Sequence, residues 1–124
     1  MTLEISTESA TVTQVNLSLN GILDAATSPV LEQFITDNLS TEVLTLVLDL
    51  KKLSFISSAG LRIFAKLRKN LKNKGGRVCF INPSPQVKRV FDIVKAVPVS
   101  EVFQDVKELD AYLASMQRKT TEGI

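Results

Sequence analysis

The chain has 124 residues, enough for one domain and too few for two. Hydrophobic residues make up 44% of it and charged residues 23%, which excludes a disordered chain, and no apolar run approaches the ~20 residues that span a bilayer. Zero histidines and a single cysteine, Cys79, remove the commonest general base near neutral pH, any internal disulfide and a zinc site of ordinary ligand type.

Leu3 to Ser6 is expected to be a strand, and Val12 to Leu19 a second. The second alternates, with Val15, Leu17 and Leu19 on one face and Asn16 and Ser18 on the other. Asn20-Gly21 is turn chemistry that would end it. Ser28-Pro29 predicts an N-cap followed by proline at the first helical position, where the missing N–H costs nothing. Val30, Leu31, Phe34, Ile35 and Leu39 then share one helical stripe, so this helix should lie on a sheet. Asp37-Asn38 and Ser40-Thr41 close it.

Leu44 to Leu50 is a dense apolar run of strand length, the pattern of a central strand buried on both faces, with Asp49 a hydrogen-bonder near its end. A short stretch, Lys51 to Ile56, leads to Ser57-Ser58-Ala59-Gly60. From there a helix is predicted to about Lys72: Leu61, Phe64, Leu67 and Leu71 form its buried stripe, and Arg62, Lys66, Lys69 and the stem of Arg68 lie outside it or at its margin. Asn73-Lys74-Gly75-Gly76 stops it. Val78 to Ile81 reads as a strand, Asn82-Pro83-Ser84-Pro85 as a turn, and Gln86 to Val94 as a helix presenting Val87, Val90, Phe91 and Val94. Val97 to Val102 is expected to be extended, and a last helix to start at Asp105 with Val106, Leu109, Leu113 and Met116 inward. A starting hairpin followed by alternating strands and helices predicts the α/β class: a mixed β-sheet of four to five strands packed with about four helices, one domain over 1–116 and a polar tail over 117–124.

The N-terminus, Met1-Thr2-Leu3-Glu4, lacks a basic region followed by an apolar stretch, so no signal peptide is expected. Cys79 reads as a buried small hydrophobe in a reducing cytoplasm. No phosphate loop and no dinucleotide-binding glycine turn occurs, and no metal or cofactor is expected. Catalysis is reduced to a carboxylate pair, Asp24 with Asp49, should the two converge. The expectation is therefore a protein-binding module and not an enzyme.

The segment of most interest is the junction where a strand delivers the chain to a basic helix. Ser58 is placed there as the N-cap or very near it, where free N–H groups and the positive helix end gather and tolerate a phosphate. Ala59 and Gly60 are small enough to let another protein approach Ser58. A serine before a helix is also an ordinary cap, and nothing in the residues alone decides between the two.

Three blocks in order carry a family resemblance. They are Gly21-Ile22-Leu23-Asp24-Ala25-Ala26-Thr27, then Leu48-Asp49-Leu50 with Phe55-Ile56-Ser57-Ser58-Ala59-Gly60-Leu61, then Gly75-Gly76-Arg77-Val78 with Asn82-Pro83-Ser84-Pro85-Gln86-Val87. In these the chain resembles a stand-alone STAS domain of the bacterial anti-sigma factor antagonists, from about residue 3 to 116. The resemblance implies a partner switch. The unphosphorylated antagonist binds an anti-sigma factor that is also a serine kinase; phosphorylation of Ser58 releases it; a serine phosphatase of the PP2C type resets the cycle. The family commonly has an acid before the modified serine where this chain has Ser57, and often serine where it has Ala59, so Ser57 is the second candidate phosphosite. Asp24 matches the acid of the family's first loop, and a turn role serves it equally well. The partner-binding set is Asp24, Ala25, Thr27, Ser57, Ser58, Ala59, Gly60, Leu61, Arg62 and Lys66.

Charge is lopsided. Lys51 to Phe91 holds eleven basic residues and no acid, while the remainder holds four basic and thirteen acidic. Arg62, Lys66 and Lys69 could offer a positive edge to an acidic kinase surface, or simply solvate a helix. With few aromatics among the charges, no direct nucleic-acid contact is expected, and no membrane. Two other readings stand beside the switch: a scaffold subunit of a larger assembly, such as one for lipid transport, in which Ser58 is only a cap, and a small-ligand or nucleotide carrier.

Overall fold

The computed structural model describes residues 2–94 and 102–103. Its elements are β1 (Leu3–Ala10), β2 (Gln14–Leu23), α1 (Ser28–Asn38), β3 (Thr45–Asp49), β4 (Leu53–Ile56), α2 (Ser58–Asn73), β5 (Arg77–Ile81), α3 (Pro85–Val94) and β6 (Val102–Phe103). The α/β class and mixed sheet agree with the sequence. Among the described residues there are six strands where four to five were expected, because Leu53–Ile56 is a strand in its own right. The helix expected from Asp105, the tail and most of Val97–Val102 lie outside the described residues.

The sheet runs β1-β2-β3-β5-β6, with β1 antiparallel to β2 and the other pairs parallel. β2 organises the site end of the molecule. One side of it pairs with β1; the other pairs first with β3 over Gln14–Ser18, then with β4 over Gly21–Leu23. It therefore does not end at Asn20-Gly21. Gly21 takes φ +121°, and a side chain there would run into the carbonyl oxygen of Thr2, just ahead of β1. The turn chemistry marks a close backbone approach inside a strand.

Leu17, Leu48 and Phe80 are level across three strands, as are Val15, Leu46 and Val78, and all six side chains belong to one core with α1, α2 and α3. Phe64 of α2, Phe80 of β5 and Phe91 of α3 meet with ring centroids 4.9, 5.6 and 6.2 Å apart, favourable tilted and edge contacts. Leu46, Val47 and Leu48 are fully buried, so the central strand is covered on both faces as its unbroken apolar run predicts. Val12, expected to start the second strand, stands 67% exposed in the β1–β2 turn, and Val30, 49% exposed on α1, does not belong to the inward stripe expected for it.

β4 hides its period. Leu53 and Ile56 are both buried although three positions apart, where a regular strand would turn them to opposite faces. The register with β2 shifts between Gly21↔Leu53 and Ile22↔Phe55, and this irregularity restores the alignment. The chain then enters α2 from a strand anchored to the end of β2.

Candidate functional site

The site is built where β2 and β4 end side by side. Leu23 pairs with Ile56, and the Ser57 N–H donates to the Leu23 carbonyl at 2.9 Å, so the residues that follow the two strands, Asp24 and Ser57-Ser58, emerge together. Ser57, in extended conformation, is the N-cap of α2. Its Oγ accepts from the Gly60 N–H at 3.4 Å and its carbonyl from the Leu61 N–H at 3.0 Å. Ser58 is the first helical residue and is exposed, whereas Ser57 is half-buried. The cap thus falls one residue earlier than expected, because only Ser57 keeps the extended backbone that lets a side chain fold back on the first turn. Helix geometry leaves the Ser58 and Ala59 amides without a carbonyl partner in the helix, and no acidic residue occupies this first turn.

The loop beside it is tied by Asp24. Its Oδ1 accepts the Ala26 and Thr27 N–H groups at 3.0 Å each, and the Thr27 hydroxyl donates to the Ile22 carbonyl at 2.7 Å while accepting from the Asp24 N–H at 2.9 Å. The Thr27 amide foremost holds the Asp24 carboxyl below its ordinary value of 3.8; desolvation, next in size, opposes it, and the Thr27 hydroxyl and the Ala26 amide lower it further. Ser28 is not a cap. It is a buried helical residue whose Oγ donates to the Asp24 carbonyl at 2.6 Å, and Thr27 precedes the helix without a side-chain capping bond. The Val30 and Leu31 amides that a capping Ser28 would take go instead to the Thr27 carbonyl, at 2.9 and 3.3 Å.

Several expected contact residues are not at the surface. Thr27 is 5% exposed, and Gly60 and Leu61 are buried. Gly60 is small for an internal reason: a Cβ there would lie 2.7 Å from Ile56 Cγ1 and 2.9 Å from the Leu23 carbonyl oxygen, so it seats α2 on the strand ends rather than opening Ser58 to visitors. Lys66 is paired across the helices with Glu32 of α1 at 2.8 Å, which the sequence reading missed because the partners are 34 residues apart. Asp24, Ala25, Ser57, Ser58, Ala59 and Arg62 remain at least partly accessible. Ala25, Ala59 and Arg62 line, with Ser28, Glu32 and Ile63, an open groove of about 500 Å³ between α1 and α2.

Asp49 does not join this site. It is level with Ser18, six positions before Asp24 on the same strand direction, about 20 Å away at ~3.3 Å per residue. Its Oδ1 instead accepts from the Lys51 N–H at 3.0 Å and from Asn82 Nδ2 at 3.3 Å. Asp24 and Asp49 do not form a catalytic pair. Among the described residues, no helix is long and apolar enough to cross a membrane.

The profile of the STAS domain matches residues 5–109, and the chain belongs to that family. A putative anti-sigma factor antagonist of Bordetella bronchiseptica, BtrV, is 33% identical over 75 residues; the match spans 60% of this chain and 65% of that protein. Among solved structures, the Bacillus anti-sigma factor antagonist SpoIIAA superposes in its unphosphorylated form with a TM-score of 0.72 (24% identity, 98% of each chain). Its phosphorylated form gives 0.64 (23% identity, 89% of this chain and 99% of that one). An anti-sigma factor antagonist of Mycobacterium paratuberculosis gives 0.69 at 26% identity, over 90% of this chain and 93% of that one.

Proposed function

We propose that this protein is an anti-sigma factor antagonist working as a phosphorylation-controlled partner switch, a binding module without catalysis of its own. The unmodified form docks on an anti-sigma factor that is also a serine kinase. That kinase moves the γ-phosphoryl group of ATP onto Ser58 Oγ, releasing ADP and a proton, and the modified form lets go. A serine phosphatase of the PP2C type hydrolyses the ester and resets it in the cytoplasm, where sigma factors act. The observation that carries the reading is the exposed Ser58 hydroxyl at the first residue of α2, with Ser57 half-buried and occupied as the cap. Named antagonists among the relatives supply the partner class.

The physics of the switch is local. A phosphate brings about −1.5 to −2 charges at neutral pH. The free amides of the first helical turn, and Arg62 one turn along at i+4, accommodate it within the domain. In a closed interface the same group must be desolvated or displaces the partner, and a loss of about 3 kcal/mol weakens binding more than 100-fold. The test is incubation with candidate anti-sigma kinases and ATP, read by intact mass and peptide mapping, then affinity of the modified protein. One phosphate on Ser58, retention of the kinase by Ser58→Ala and its loss by the phosphoprotein are expected. A phosphoprotein that still holds the kinase refutes the switch, and a chain that gains no phosphate is a scaffold.

A further inference from the structure

The segment Asn82–Gln86, between β5 and α3, has no part in the switch as described, yet its side chains reach the site strand. Consecutive amides of a strand point to opposite sides. The Ser57 N–H points to β2 and finds the Leu23 carbonyl. The Ile56 N–H points the other way, to an edge where no strand pairs with β4 among the described residues. Gln86 Oε1 accepts it at 3.1 Å. Three residues earlier the Leu53 carbonyl, also turned outward through the irregularity in β4, accepts from Ser84 Oγ at 2.7 Å.

We propose that Gln86 is the positioning residue of this junction: with Ser84 it takes the place of a neighbouring strand along the free edge of β4 and so holds Ser57-Ser58 at the mouth of α2. The side chains are fixed for the task. Asn82 adopts φ 52°, a left-handed turn that asparagine tolerates, and its Nδ2 donates to Asp49 at the end of β3. The Ser84 carbonyl accepts the Lys88 N–H at 2.8 Å, starting α3, and Phe91 anchors that helix in the aromatic cluster. Because the Ile56 N–H can only donate, the orientation of the Gln86 amide is set by its partner. α3 is thereby coupled to the serine pair through two side-chain bonds.

The consequence for phosphorylation rests on the partner-switch reading; the holding of the junction does not. The test therefore has two readouts on the intact chain with Gln86→Leu, which removes the acceptor, and Gln86→Glu, which keeps one. Amide hydrogen exchange by NMR should speed up at Ile56 by about tenfold or more in Gln86→Leu, with Leu46 to Leu48 still protected, and return in Gln86→Glu. With the kinase identified as above, KM for the antagonist should rise several-fold with kcat little changed, and Gln86→Glu should restore it. Unchanged exchange at Ile56, or loss spread equally to β3 and β5, overturns the proposal. Exchange behaving as expected in a chain that no kinase modifies supports the positioning role while removing the switch.

Discussion

Two neighbouring serines with the same chemistry are separated by one backbone angle. Ser57 sits at ψ 176°, extended, and spends its oxygen on the Gly60 amide; Ser58 is helical and exposed. Ser57→Ala should therefore cost about 0.5–1 kcal/mol of stability in urea unfolding, the low end for a cap given its 3.4 Å bond. Ser58→Ala should be near neutral in the same experiment. Asp24 offers a second test. Hydrogen bonds to its ionised form lower its pKa in the folded chain, so its contribution is present above the unfolded value and fades as pH falls through the folded one, below 3.8. Carboxyl titration by NMR should show an inflection beneath that value, and Asp24→Asn should remove this part of the acid sensitivity. An inflection at or above 3.8 contradicts the loop geometry.

At the scale of elements, the start of α2 depends on how closely it seats against β2 and β4. Replacing glycine by alanine inside a helix ordinarily helps by about 1 kcal/mol, but Gly60→Ala meets the immovable Leu23 carbonyl and should destabilise by about 1–3 kcal/mol instead. A more stable Gly60→Ala protein would mean that the helix is not seated there. The pairing of Lys66 with Glu32 also changes how the positive edge should be probed. Reversing Lys66 would set two acids against each other between α1 and α2, so Arg62→Glu is the cleaner variant. If the exposed edge steers the partner, Arg62→Glu should slow association about threefold to tenfold at low salt and much less at high salt. The same loss at every ionic strength would assign Arg62 a contact role and not a steering one.

For the molecule as a whole, α2, β5 and α3 are joined in the core by the aromatic cluster. Phe64 is fully buried against Phe80 and Phe91. Phe64→Ala should cost about 3–5 kcal/mol, a large share of the 5–15 kcal/mol typical of a domain, read as a lower urea midpoint. The acid-free stretch from Lys51 to Phe91 spans the β3–β4 turn, β4, α2, β5 and α3 up to the residue before Asp92. It is therefore distributed over several elements rather than confined to one helix face. Lys66 and Glu32 show that part of it is balanced across the fold by acids from outside the stretch.

Local patterns carried the class of fold and the place of the candidate site. The alternation of Val15, Leu17 and Leu19, the unbroken run at Leu46 to Leu48 and the stripe from Leu61 to Leu71 are statements about period, and period is written in neighbouring residues. So is the serine pair ahead of a helix. What depended on distant residues was not legible. The strand at Leu53–Ile56 was masked by its own irregularity, which exists only in register with Gly21 and Ile22. The burial of Thr27 and Gly60, the separation of Asp24 from Asp49, the Lys66–Glu32 pair and the reach of Gln86 to Ile56 all join elements about 30 residues apart or turn on how those elements pack. Composition and spacing determined what the chain could build; the closing of β2 against two successive strands decided which side chains of the junction reach the surface and which are packed behind it.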